Sequence, residues 1–290
     1  MNMIRNVVII GTGLIGASIG LALRRAGFTG TITGVDRNAT AATEALRVGA
    51  VDSFVTDGDE AIATAARGDL VVLAAPVLGI LHWIEFLARF MGPNQLITDV
   101  GSTKLDICRL AADHFTVGSA SFLPGHPMAG KESGGAALAD ASLFEGAMWL
   151  FTPISEPSEL ELEWRQWITK FGCRTMDLDA ARHDRICAWV SHLPQMVATA
   201  MSATFADEFA RDPSLAQEFE AIGGRALREM TRLGASPYSM WRDVAMTNTE
   251  PLAETLSALE QRLQHMRENL KTAELREEFA KANEFRKFKP

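Results

Sequence analysis

The chain has 290 residues, 47 % of them hydrophobic and 22 % charged, with a net charge of -8, the profile of a soluble globular protein with room for one large or two ordinary domains. The acidic balance and the lack of any basic tract argue against nucleic acid, which needs clustered Lys and Arg, although a small anionic substrate needs only a local cationic pocket. No apolar run approaches the roughly 18 residues of a membrane span and the N-terminus runs directly into the first strand, so no membrane partner and a cytoplasmic location are expected.

The first apolar run, residues 7–10, reads as a buried parallel strand and passes into Gly11-Thr12-Gly13-Leu14-Ile15-Gly16. Gly11 lets the chain turn sharply out of the strand, Gly13 lets the backbone approach a pyrophosphate, and Gly16 lets the following helix sit close to the sheet. That helix, over about 15–25, opens at Leu14 and Ile15 and turns its free N–H groups and positive dipole end towards the phosphates. A second strand over 31–36 ends at Asp36, twenty residues beyond Gly16, where a carboxylate accepts from a ribose 2'-hydroxyl. Asp36 repels a 2'-phosphate and favours NAD; Arg37 beside it, able to stack on adenine or meet that phosphate, keeps NADP open.

Strand and helix signals alternate onward: a helix over 39–48, a strand over 69–74, a helix over about 78–90, a strand over 95–100, a helix over 103–112 and a strand near 119–123. This is the rhythm of crossover units on a parallel sheet. Ligands on such sheets sit beyond the carboxyl ends of the strands, so the segments after Ala74, Asp99 and Leu123 should carry the chemistry, with Ala75 and Pro76 against the cofactor. Residues 149–153 and 173–177 read as two further strands around a helix over about 159–171. From 180 to 285 apolar residues recur at helical spacing, broken near 211–213, 223–224 and 234–237, and one long charged helix is expected over about 251–289. The expected architecture is a Rossmann-type dinucleotide-binding domain over 1–178 and an all-helical substrate-binding and dimerisation domain over 179–290. Cys108, Cys173 and Cys187 are odd in number and lack metal-ligand spacing, so they read as reduced, buried thiols and no metal is expected.

Four polar clusters remain: Asp99-Val100-Gly101-Ser102-Thr103-Lys104, then Gly125-His126-Pro127-Met128-Ala129-Gly130-Lys131-Glu132, then Ser191-His192-Leu193-Pro194-Gln195, then Glu229-Met230-Thr231-Arg232. In this combination, behind a glycine-rich loop, the chain resembles the prephenate and arogenate dehydrogenase family of tyrosine biosynthesis over nearly its whole length. The resemblance implies NAD(P)-dependent oxidation of a cyclohexadienol. Hydride leaves the carbinol carbon, the ring carboxylate departs as carbon dioxide, and a 4-hydroxyphenyl product remains. It also implies a homodimer joined through the helical domain.

By the same resemblance, His126 matches the family's catalytic histidine, Ser102 the serine at the same hydroxyl and the nicotinamide, and Arg232 the arginine that grips a substrate carboxylate. Glu132 and Glu229 match acids in an ionic network with that arginine, and Lys131 is an alternative anchor. His192 matches the first histidine of a Ser-His-Leu-Pro-His element whose last position is here Gln195. A neutral amide lacks the charge that meets the side-chain carboxylate of prephenate in many relatives, which shifts the expectation towards arogenate or towards both substrates. Read without the resemblance, His126 could instead order its glycine-rich loop, Ser102 could cap the following helix, and the two acids could be surface charges.

Two other functions share the early motifs. Another hydroxyacid or imine oxidoreductase of this architecture would commonly use a lysine of the second domain, and no lysine occurs between residues 180 and 270. A regulator that senses NAD(H) without turnover has no use for a base aimed at a hydroxyl.

Overall fold

The computed structural model describes residues 3–56, 58–131 and 133–288. Its first part runs β1 (Asn6–Ile10), α1 (Leu14–Arg25), β2 (Thr31–Val35), α2 (Ala39–Arg47), β3 (Ser53–Val55), α3 (Gly58–Ala65), β4 (Leu70–Leu73), α4 (Val77–Leu87), β5 (Leu96–Asp99), α5 (Leu105–His114) and β6 (Ser121–Leu123). These strands form one six-stranded sheet in the order β3-β2-β1-β4-β5-β6, with every pair parallel. The order reverses between β1 and β4, and the crevice at such a reversal is where a dinucleotide lies. Alternate residues of the central strands feed two cores, Ile9 and Val72 on one face, Val8, Ile10, Val71 and Leu73 on the other. Burial on both faces is why these strands read as unbroken apolar runs. The pair β3 and α3 had no sequence signal: β3 is three residues long, and α3, Gly-Asp-Glu-Ala-Ile-Ala-Thr-Ala, carries Ile62 as its one large apolar residue among small alanines.

After β6 the chain leaves this sheet and starts another. β7 (Gly125–Pro127) pairs antiparallel with β8 (Met148–Phe151), which pairs in parallel with β9 (Arg174–Asp177), and α6 (Glu159–Lys170) links the last two. The strands around residues 149–153 and 173–177 are therefore present, but β7 was not foreseen because Gly-His-Pro shows no alternation. Trp149, Trp164 and Phe144 are fully buried beneath this second sheet and pack edge-on and tilted against one another.

Beyond Asp177 the described residues are helical: α7 (Ala180–Cys187), a π-helical turn (Ala188–His192), α8 (Leu193–Arg211), α9 (Pro213–Ile222), α10 (Arg225–Thr231), a 3-10 turn (Arg232–Ala235), α11 (Tyr238–Thr247), α12 (Thr249–Glu268) and α13 (Glu274–Lys287). The breaks before α9, α10 and α11 fall at the Pro and Gly positions that announce them. The π turn also has a local cause. Pro194 has no N–H to continue the ordinary ladder, and Leu193 N–H reaches back five residues to Ala188 O. The single long helix expected over 251–289 is instead two helices, and Lys289 lies outside the described residues. Asn269 closes α12 by turning its amide onto His265 O at 2.9 Å, a stop that carries no Gly or Pro signature. Among the described residues no helix is long and apolar enough to cross a membrane.

Candidate active site

The glycine loop behaves as its spacing requires. Gly11 has φ +94, and a Cβ there would stand 2.3 Å from Ala74 O; one at Gly16 would stand 2.0 Å from Gly11 O. A Cβ at Gly13 would meet nothing within 4 Å, so the space beside it is free for a phosphate. The first turn of α1 begins immediately after, at Leu14 and Ile15. Asp36, at the tip of β2, accepts from Thr12 N at 2.8 Å and from Thr12 Oγ1 at 3.0 Å, which ties this carboxylate to the loop. Beside it opens a cleft of about 250 Å³ lined by Val35, Arg37, Ile62, His82 and Trp83. Ala75 and Pro76 follow β4 at the sheet's carboxyl edge, with Pro76 the N-cap residue of α4. These residues fit a dinucleotide: an unobstructed phosphate cradle, a carboxylate for ribose, and an apolar cleft beyond it. His82 and Trp83 were not anticipated, because a mid-helix His-Trp pair carries no positional signal.

His126 sits in β7, just past the carboxyl ends of β5 and β6, and is 9 % exposed. The Asp-x-Gly-Ser-x-Lys element builds the floor around it. Asp99 pairs with Lys104, both side chains fully buried, and accepts from Gly101 N at 2.8 Å and Gly125 N at 3.2 Å. Lys104 Nζ donates to Gly125 O at 2.7 Å, so the residue before His126 is held from both its N–H and its carbonyl. On the other side, His126 Nδ1 lies 2.9 Å from His183 Nε2, and His183 Nδ1 lies 2.8 Å from Asp184 Oδ1. Burial, and then the nearby His183, Lys104 and His192, hold His126 well below the ordinary histidine value. It is thus a neutral imidazole near pH 7, the form able to accept a proton.

Sequence reasoning did not find His183 or Asp184. Asp184 also accepts from Lys104 N at 2.7 Å and Leu105 N at 2.9 Å, capping α5 from the helical part of the chain. Ser102 therefore does not cap α5; the N-cap residue is Lys104, whose own side chain makes no cap hydrogen bond, and Ser102 stays half-buried on the loop between β5 and α5. The ligand atoms of His126, His183 and Cys187 lie within 4.8 Å of one another, a spacing open to a metal ion, though the two imidazoles already use it for their hydrogen bond. Burial pushes the Cys187 thiol up to about 12, so it stays protonated; Cys108 and Cys173 are likewise free and buried.

His192 ends the π turn and is 1 % exposed. Its Nδ1 accepts from Asn248 Nδ2 at 3.1 Å, which leaves the ring hydrogen on Nε2, a buried donor with no partner among the described residues. The ring of Trp241 stands edge-on to it at 5.9 Å. Gln195 is a brace: its amide nitrogen donates to Leu233 O at 2.7 Å and Thr199 Oγ1 at 3.1 Å, and its oxygen accepts from Ser236 Oγ at 3.1 Å. Both of its N–H groups are thus committed within the protein, one along α8 to Thr199 and the other to Leu233 on the turn that carries Arg232. Glu229 pairs with Arg225 at 2.6 Å one turn earlier in α10. Lys131 is exposed and donates to Leu138 O at 2.7 Å, and Glu132 lies outside the described residues.

Comparison with known proteins agrees with this arrangement. Family models described as the prephenate dehydrogenase nucleotide-binding domain and the prephenate dehydrogenase dimerization domain match residues 19–171 and 179–284. A prephenate dehydrogenase of Lactococcus lactis is 33 % identical over 260 residues, 89 % of this chain and 69 % of its own length. The structure of a prephenate dehydrogenase from Aquifex aeolicus, solved with hydroxyphenyl propionate and NAD+, superposes with a TM-score of 0.80 at 27 % identity, covering 98 % of this chain and 95 % of that one. A Synechocystis arogenate dehydrogenase superposes with a TM-score of 0.76 at 27 % identity over 97 % of this chain and 99 % of its own. A nucleotide-binding sheet, a helical dimerization domain and a histidine-centred cluster between them agree with these matches along the length of the sequence: the chain belongs to the prephenate dehydrogenase family.

Proposed function

We propose that the chain catalyses the NAD-dependent oxidative decarboxylation of a cyclohexadienol, arogenate or prephenate, giving tyrosine or 4-hydroxyphenylpyruvate. The observation that carries this reading is a buried, neutral His126 held at the carboxyl edge of a nucleotide-binding sheet. Bound NAD accepts the hydride from the carbinol carbon. As the hydride leaves, His126 takes the hydroxyl proton, and Ser102, able to donate and accept, orients that hydroxyl. The ring carboxylate then leaves as carbon dioxide, its bonding pair enters the ring, and the resulting phenolate oxygen takes the proton back from His126. Protons therefore balance without an outside acid.

Arg232 offers the planar fork suited to a carboxylate. Such a pairing favours the charged ground state, so its role is binding and orientation rather than expulsion of carbon dioxide. The Nε2–H of His192, without a partner among the described residues, is a second donor for a substrate oxygen. Glu132 and Glu229 would set the charge around Arg232, with Lys131 as an alternative anchor for the carboxylate. The neutral, fully engaged Gln195 supplies no cation, which penalises dianionic prephenate more than zwitterionic arogenate.

The test is a comparison of kcat/KM for both substrates with NAD and NADP, followed at the reduced-nicotinamide absorbance. Turnover with at least one cyclohexadienol and a preference for NAD are expected. No turnover with either would overturn the proposal, and a strong preference for prephenate would remove Gln195 as the discriminating residue.

A further inference from the structure

We propose that His183 and Asp184 fix the tautomer of His126, so that the base presents an unprotonated Nε2 to the substrate hydroxyl; this rests on His126 being that base. The order of protons follows from the donor and acceptor inventory along the line. Asp184 accepts from two backbone N–H groups at the start of α5, Lys104 N at 2.7 Å and Leu105 N at 2.9 Å, the role of an ionised carboxylate at a helix N-terminus. Its oxygen 2.8 Å from His183 Nδ1 is therefore an acceptor, and His183 carries its hydrogen on Nδ1. In a neutral ring that leaves a lone pair on His183 Nε2. His126 Nδ1 stands 2.9 Å from that lone pair. Two lone pairs do not face each other at hydrogen-bond distance, so the hydrogen lies on His126 Nδ1 and Nε2 is bare.

A histidine without such a partner favours the opposite tautomer, with its hydrogen on Nε2, and would present a donor where the reaction needs an acceptor. The chemistry of the surroundings supports the same order. His183 is fully buried, and burial holds it below the ordinary histidine value although Asp184 pulls it upward, so it is a neutral acceptor rather than a competing imidazolium. The groups facing His126 are His183, Lys104, His192 and the Cys187 thiol, the last with Sγ 4.0 Å from Nδ1; Lys104 is itself paired with Asp99. When Nε2 takes the substrate proton, the new imidazolium keeps its Nδ1–H bond to His183, with the Asp184 carboxylate next in line. His183 and Asp184 neither gain nor lose a proton and touch no reacting atom, so both are positioning residues.

Nitrogen-15 histidine labelling of the full chain reads the tautomer directly at neutral pH, with the signals assigned by their loss in single variants. The expected spectrum has a protonated-type Nδ1 and an unprotonated-type Nε2 for His126; the reverse pattern overturns the proposal. Kinetically, His183→Leu is expected to lower kcat about 10- to 100-fold with little change in KM and to shift the acidic-limb pKa of kcat. His183→Gln, whose amide oxygen reaches towards the place of Nε2, should recover much of that loss. Wild-type kcat and pH profile in His183→Leu would overturn the proposal, and so would equal losses in both variants with KM rising in parallel. Failure of the underlying reading looks different: there His126→Asn would itself retain turnover. Because the labelled wild-type chain needs no substitution, a variant that does not fold leaves the decisive measurement intact.

Discussion

At the scale of single residues, the site separates groups that touch the reaction from groups that make room for it. His126→Asn is expected to lower kcat by about 10²- to 10⁴-fold with the Kd for NAD nearly unchanged; turnover close to normal would exclude the base role. Replacing Arg232 with Leu is expected to raise KM about ten- to a hundredfold, the worth of a charged hydrogen bond, while kcat changes far less; an unchanged KM would move the anchor elsewhere. Gly13→Ala should weaken NAD binding with an unaltered melting temperature, because its new methyl meets no protein atom within 4 Å. Gly16→Ala should instead destabilise the fold, since its Cβ would stand 2.0 Å from Gly11 O. The geometry of these glycines and of Asp36 was legible in the sequence because it is local, set by a strand, a turn and a helix in succession. His183 and Asp184 were not: Asp184 meets Lys104 across 80 residues of sequence, and a His-Asp pair on an amphipathic helix has no signature of its own. Gln195 was legible as a departure from a motif, yet its brace to Leu233 and Ser236 depends on where the helices pack.

At the scale of elements, two acids of the helical half cap two helices of the nucleotide-binding half. Asp184 in α7 closes the start of α5, and Asp243 in α11 accepts from Leu78 N, at the start of α4, at 3.2 Å. Thr103 and Thr247 add a hydroxyl pair at 2.7 Å beside the first contact. Asp243→Ala is expected to cost about 1–2 kcal/mol, the usual worth of a helix cap, measured by urea denaturation with cofactor absent; an unchanged midpoint would show that the Leu78 contact contributes nothing. Apart from β3 and α3, the alternation of strands and helices was readable up to β6 because buried parallel strands are apolar throughout. It failed at β7 and at the α12–α13 break, where three residues and a lone Asn decide the geometry.

For the whole molecule, buried neutral histidines link stability to pH. His126, His183 and His192 all have folded values below the ordinary 6.5, with burial the leading cause, and His192 falls to about 4. The unfolded chain therefore binds these protons first, so the stability they contribute is complete above about pH 6.5 and is lost as pH falls through the folded values. For His192 alone the loss is on the order of 3 kcal/mol. Buried Glu161, raised from 4.5 to about 7, acts in the opposite direction over that interval and offsets about one histidine. A falling unfolding free energy between pH 6.5 and 4.5 is expected from denaturation curves; a flat or rising one would contradict three neutral buried rings. The helical half also leaves Tyr238, Met246, Leu263 and Phe279 more than half exposed in a single chain, the kind of surface a dimerization domain covers. The caps supplied by Asp184 and Asp243 bear on how the polypeptide can be dissected. A fragment ending at Asp177 would keep every strand of the sheet yet lose the carboxylates that close α4 and α5, leaving orphan amides beside the very loop that carries Ser102. The start of each of these two helices is therefore completed from the other half of the sequence.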